Sequence, residues 1–181
     1  MAESPVQRLF FALWPAPETA RRIWQATAKL VPRGVGRRLP AQQLHLTLAY
    51  LGQQDARQLH CVSEVASRLQ AQAFTLTLDQ TGHFPRPQVV WLGASQTPAA
   101  LAALQDDLVS QLTQYCGYQP ESRPFLPHVT LIRKVRRVDL PERIPPLAWP
   151  VASFALVRSD TRPSGAEYSV LRAWPLDTSQ V

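Results

Sequence analysis

Leu44-His45-Leu46-Thr47-Leu48-Ala49-Tyr50-Leu51-Gly52 and Pro127-His128-Val129-Thr130-Leu131-Ile132-Arg133 decide how this chain is read. Each holds a histidine, an apolar residue, a threonine and a second apolar residue. In a strand, alternate side chains point to opposite faces. His45 and Thr47 therefore share one face, as do His128 and Thr130. Leu46, Leu48, Val129 and Leu131 point the other way, into a core. One copy lies in each half of the chain. The expectation is that the two polar faces meet across one cleft. A single histidine on a strand is more often structural than catalytic. The shared polar face, the shared apolar partners and the wide separation set this pair apart.

Working outward, residues 6–14 (VQRLFFALW) read as a buried strand stopped by Pro15 and Pro17. Ala20, Ile23, Trp24, Thr27, Ala28 and Val31 recur at helical spacing and predict an amphipathic helix over 17–31. Residues 32–40 read as a loop. Its Arg33, Arg37 and Arg38 are taken as solvated charges rather than the lining of a substrate entrance. The first motif strand is expected over 43–51. Asp55 is placed as the cap of a second helix, with Gln58 in the capping-box position, and His60 is expected on its exposed side. FTLTLD (74–79) reads as a strand, residues 81–85 as a turn holding a surface His83, and QVVWLG (88–93) as the returning strand. Thr97-Pro98 opens a third helix with a stripe of Leu101, Leu104, Leu108, Leu112 and Tyr115, ended by Gly117. The second motif strand is expected over 128–135. A basic, proline-rich loop over 136–146 follows, then closing strands over 149–158 and 167–174.

About seven strands and three helices result, without strict βαβα alternation, so a doubly wound parallel sheet is not expected. No dinucleotide fingerprint follows the first strand, and there is no P-loop. The pattern points to an α+β fold of two lobes, each giving one motif strand to a shared groove. No apolar run approaches the roughly 20 residues that cross a bilayer, and the N-terminus lacks the marks of a signal peptide. Cys61 and Cys116 are read as two reduced thiols, which together with the N-terminus suggests a cytoplasmic protein. The formal charge of +6 is carried almost wholly by arginine. Arginine suits phosphate, so a nucleic-acid or phosphorylated partner is permitted.

Three chemistries compete for the motifs. Two histidines without a third ligand or a carboxylate make a poor zinc site. A nucleophilic threonine has no general base arranged against it, and no G-x-S-x-G elbow is present. Paired acid–base catalysis on a phosphodiester uses all four polar residues and no metal. One neutral histidine takes a proton from water, and a protonated partner gives one to the departing oxygen. The threonine hydroxyls then serve the nonbridging oxygens.

The motifs resemble the signature of the two-histidine phosphoesterases. More closely, the chain is similar to the bacterial LigT-type RNA 2',3'-cyclic phosphodiesterases, also described as 2'-5' RNA ligases. RLFFAL (8–13), LHLTLAYLG (44–52), FTLTLD (74–79), VVWLG (89–93) and RPFLPHVTLIR (123–133) carry the likeness in order along the chain. The resemblance implies one bilobal domain over residues 1–181. Two mainly antiparallel sheets would be related by a pseudo-two-fold, with helices outside and a central cleft. It implies hydrolysis of RNA ends bearing a 2',3'-cyclic phosphate to 2'-phosphomonoesters, without metal or cofactor. It also implies reversible joining of tRNA halves through a 2'-5' linkage. By position His45 matches the proton donor and His128 the proton acceptor. Thr47, Thr130 and Arg133 match phosphate-binding residues. Arg133 lies an odd number of residues after His128, so a twist or bulge must turn it to the histidine face. Small cyclic nucleotides are further candidate substrates, and a monomer is expected. The rival reading is an RNA- or nucleotide-binding module without turnover. Phe10, Phe11, Trp14, Phe84 and Tyr168 are possible base-stacking residues, but alternation forbids Phe10 and Phe11 from both facing the cleft.

Overall fold

Residues 6–163 and 165–179 are described by the structure, a computed structural model. In chain order the elements are β1 (Gln7–Leu13), α1 (Pro17–Ala26), β2 (Arg37–Arg38), a 3-10 turn at Ala41–Gln43, β3 (Leu46–Gln54), α2 (Ala56–Arg68), β4 (Phe74–Phe84), β5 (Val89–Gly93), α3 (Ala99–Cys116), β6 (His128–Arg133), β7 (Arg143–Val151), β8 (Ser153–Arg162) and β9 (Gly165–Pro175). The class is the expected α+β, one large antiparallel sheet with three helices. Strand order is β7-β4-β5-β6-β3-β1-β8-β9, with β2 added beside β6. The two sheets expected from sequence are the two four-stranded halves of this array. Among the described residues β3 and β6 join them through one pair, Leu46 opposite Val129.

Alternation explains which face each strand buries. Leu9, Phe11, Leu13, Leu46, Leu48, Val129 and Leu131 lie in one core with Ile23 of α1, Val62 of α2 and Leu101, Leu104, Leu108 and Leu112 of α3. All three helices thus contribute to the core on the side that carries Leu46 and Val129. Phe10, Ala12, Ala155 and Val157 form a second, smaller cluster on the other face, packed with Trp14 and Tyr168. Phe10 and Phe11 are split between the faces as alternation demands.

Several boundaries differ from the sequence reading. Helix α1 ends at Ala26 rather than 31. The Arg38 guanidinium and the Thr27 hydroxyl both donate to the Trp24 carbonyl, and the Ala28 N–H that would have continued the helix there turns to the Gln25 carbonyl instead. Trp24 is correspondingly 37% exposed, with Arg38 over its ring. Strand β4 runs on to Phe84, so His83 sits in a strand, half-buried, bonded to the Val135 carbonyl rather than in a surface turn. Residues 143–146, the end of the expected proline-rich loop, belong to β7. A strand at the edge of a sheet tolerates proline, since its missing N–H faces no partner, and β7 is such an edge. The single strand expected over 149–158 breaks at Ala152: β7 pairs with β4, and β8 with β1. Asp55 caps α2 through the Gln58 amide, and Gly117 ends α3 at φ 67°, both as expected. Ser164, in the last expected loop, lies outside the described residues.

The cysteines require a correction. Cys61 on α2 and Cys116 at the end of α3 form a disulfide, with Cα atoms 5.9 Å apart. Their 55-residue separation gave no sign of it; the packing of α2 against α3 brings them together. These cysteines are therefore not the two reduced thiols expected, and they do not point to a reducing compartment. No described helix is long and apolar enough to cross a membrane.

Candidate active site

The Leu46–Val129 pair fixes where the motif residues stand. One step along this antiparallel register in either direction sets Thr47 against His128 and His45 against Thr130. All four side chains share the face opposite Leu46 and Val129. Cross-strand neighbours have Cβ atoms about 5 Å apart, so distant parts of the chain supply one compact polar patch. The first motif strand begins at Leu46, one residue later than His45. Pro40 and the 3-10 turn at Ala41–Gln43 deliver that histidine.

Both imidazoles are held alike. His45 Nδ1 lies 2.7 Å from the Gln43 carbonyl, and His128 Nδ1 2.8 Å from the Leu126 carbonyl. In each case the carbonyl belongs to the residue two positions back. A carbonyl only accepts, so each Nδ1 carries a hydrogen, and each Nε2 is the nitrogen that changes protonation. The Gln43 side chain donates in turn to the Ala166 carbonyl on β9 at 3.1 Å, tying the turn to the far side of its half-sheet.

Aromatic rings wall both histidines. Trp14 stacks on His45 with centroids 5.0 Å apart and planes 2° from parallel. Phe10 and Tyr168 each lie 5.0 Å from the same ring. Around His128 stand Phe84 at 5.2 Å, edge-on, and Trp91 at 6.2 Å. Trp91 lies so close over β4 that a Cβ on Gly82 would sit 2.1 Å from its ring. Glycine is required there for the wall to form.

These walls set the electrostatics. Burial penalises the charged imidazolium and lowers the His45 pKa from 6.5 to about 4. The hydrogen bond to Gln43 opposes that fall, while the positive charge of Arg133, and that of His128 once protonated, add to it. Burial likewise lowers His128, opposed by its bond to Leu126. Without an anion, both rings are held neutral near pH 7.

Arg133 reaches this face by an irregularity in the sheet. In the β5–β6 ladder Trp91 pairs with Thr130 but Val90 pairs with Ile132, a register shift that leaves Leu131 unopposed. Leu131 and Ile132 are both buried. The extra residue restores phase, so Arg133, opposite Val89, returns to the face of Thr130. Its charge is felt at His45.

The 2'-5' RNA ligase superfamily model matches residues 13–163. The chain belongs to the 2'-5' RNA ligase superfamily. It is 38% identical over 176 residues to the RNA 2',3'-cyclic phosphodiesterase of Escherichia coli, spanning 96% of this chain and 98% of that relative. It is 33% identical to the RNA 2',3'-cyclic phosphodiesterase of Thermus thermophilus, spanning 93% and 90%. The crystal structure of E. coli LigT complexed with 3'-AMP superposes with a TM-score of 0.87 at 38% identity, covering 95% of this chain and 99% of that one.

Within this superfamily member, the five residues singled out from sequence lie on one face around one strand pair. Arg38 does not behave as a simple solvated charge, since it rests on Trp24; Arg37 is exposed, in β2 with its backbone opposite Arg133. Sequence reading offered Phe10, Trp14, Phe84 and Tyr168 as base-stacking residues. In the structure all four lie beside a histidine ring. Trp91 and Gln43 were missed. No motif marks them, and only strand register and turn geometry bring them to the site. Among the described residues, no three His, Cys, Asp or Glu side chains gather closely enough to hold a metal ion.

Proposed function

We propose that the protein hydrolyses RNA 2',3'-cyclic phosphate ends to 2'-phosphomonoesters by paired-histidine acid–base catalysis. The observation that carries this is the matched pair of imidazoles. Each is fixed through Nδ1 to a backbone carbonyl and has Nε2 left for chemistry. The relatives named as RNA 2',3'-cyclic phosphodiesterases support the substrate class. In the step proposed, water attacks phosphorus while His128 Nε2 takes its proton. The P–O3' bond breaks, and His45 Nε2 gives its proton to the departing 3'-oxygen. Thr47 and Thr130 donate to the nonbridging oxygens, and Arg133 offsets their charge.

His45 must be protonated to act as the acid, yet the unliganded protein disfavours that state. The substrate's own charge resolves the conflict. A phosphodiester anion between the rings favours the imidazolium, and the Trp14 face provides cation–π attraction to it. The chemistry uses no metal, so EDTA leaves the rate unchanged. Both histidines, both threonines and Arg133 come from one chain, so we take residues 1–181 to be a single bilobal domain working as a monomer.

The superfamily description favours a second reading, the same step with an RNA 5'-hydroxyl in place of water: it attacks the cyclic phosphorus, the P–O3' bond breaks, and tRNA halves are joined through a 2'-5' linkage. Such a reaction needs no nucleotide triphosphate. Water greatly outnumbers RNA ends, so hydrolysis dominates in dilute solution. The test is an oligonucleotide ending in a 2',3'-cyclic phosphate, with the product phosphate located by NMR. A 2'-phosphate is expected. A 3'-phosphate reverses the two histidine roles. Binding of the oligonucleotide without turnover would leave an RNA-binding module instead.

A further inference from the structure

Among the described residues no strand lies on the outer side of β3 beyond Leu46. There β3 forms one wall of a hollow of about 280 Å³, closed by the start of α2 and the segment leaving α3. Its polar lining is Tyr50, Gln54, Gln58, Tyr118 and Gln119, with no charged side chain. We propose that this hollow receives the nucleobase immediately 5' to the cyclic phosphate end of the RNA, with Tyr50 as its stacking platform. The inference rests on the phosphodiesterase reading above.

Three observations carry it. The first is continuity with the site. Tyr50 pairs directly with Phe10, and the Phe10 ring lies 5.0 Å from His45. Paired residues share a face, so Tyr50 stands on the histidine face one aromatic layer out from the acid, roughly 15 Å along β3 by strand rise. An RNA strand leaving the histidines on that side meets Tyr50 first.

The second is exposure. Tyr50 is 49% exposed although it sits within a strand beside buried neighbours. A half-open aromatic ring is a surface on which any base can stack. The third is the chemistry of the lining. A phosphate would call for cations, and this hollow has none. Glutamine amides offer both donors and acceptors, which match the edges of a base. Gln54 and Gln58 each use an amide N–H on a backbone carbonyl, of Leu51 and of Cys116, and this holds them in position.

The experiment compares three substrates: a dinucleotide ending in a 2',3'-cyclic phosphate, the same molecule with an abasic 5' residue, and a 2',3'-cyclic mononucleotide. In the unmodified protein the intact dinucleotide should exceed the abasic one in kcat/KM by roughly 5- to 100-fold, the range for stacking one base on an aromatic. Tyr50→Ala should bring the two substrates level, and Tyr50→Phe should keep most of the difference. Each ratio is taken on one preparation, so loss of folded protein cancels. Equal rates for intact and abasic dinucleotide in the unmodified protein would overturn the inference, as would a full difference surviving in Tyr50→Ala. In both cases turnover of the mononucleotide leaves the phosphodiesterase reading standing. Failure to turn over all three removes that reading and this site with it.

Discussion

Acidification should destabilise this protein through His45 by an amount the structure fixes. Burial holds the folded-state pKa at about 4, against an ordinary value of 6.5. Between these values the unfolded chain binds a proton that the folded chain refuses, so stability falls as pH falls. At 1.36 kcal/mol per pKa unit, the linkage costs about 2 kcal/mol by pH 5 and about 3 kcal/mol by pH 4, relative to pH 8. His128 contributes with the same sign, since its pKa is lowered too. Urea denaturation from pH 4 to 8, run in parallel on the unmodified protein and on His45→Leu, isolates the His45 part. The variant keeps every other titrating group, so the difference between the two stability curves should slope across pH 4 to 6.5 and flatten above. A difference that stays flat over that window refutes the claim that the aromatic walls keep His45 neutral. The same linkage predicts that an anion bound between the rings draws in a proton. Calorimetry of 2'-AMP binding at pH 7, in buffers of different ionisation enthalpy, should therefore show net proton uptake.

His45→Ala and His128→Ala should each lower turnover by roughly two to four powers of ten, the usual weight of a general acid or base, measured with a cyclic mononucleotide. Arg133→Ala should weaken substrate use by about 10- to 100-fold through loss of a charged hydrogen bond, with partial recovery in Arg133→Lys, in steady-state kinetics. Gly82→Ala should destabilise the fold by about 1–3 kcal/mol, because the added Cβ collides with Trp91, read by thermal melting. Cys61→Ser should lower stability by up to roughly 4 kcal/mol, given the 55-residue separation that the disulfide closes. Denaturation of the oxidised unmodified protein beside the variant checks this.

The motif faces were legible because strand alternation is local. His45 with Thr47, and His128 with Thr130, needed no knowledge of the rest of the chain. The capping Asp55 and the terminating Gly117 were legible for the same reason, since each acts within one turn of backbone. What stayed hidden depends on partners far away in sequence. Arg133 was named through the resemblance, with a twist or bulge required to turn it, but the place of that irregularity, at Leu131 against β5, is not declared by residues 128–133. Pro145 and Pro146 read as loop because proline lacks an N–H for a ladder, whereas β7 is an outermost strand, where that is tolerated. Trp91 and Gln43 carry no motif. One acts by lying over a glycine, the other by offering a carbonyl from a turn. The cysteine pairing is likewise a property of helix packing.

The narrow join between the half-sheets has a consequence for how such an enzyme can fail. Each half supplies a single imidazole, and among the described residues one ladder pair aligns the two strands that deliver them. Sliding either strand by one position would turn its histidine and threonine inward and its leucines out to solvent. The burial of Leu46 and Val129, both fully hidden, is therefore what keeps the two imidazoles in step. A lesion in that greasy seam, far from any proton, should silence the chemistry while each half keeps its own fold.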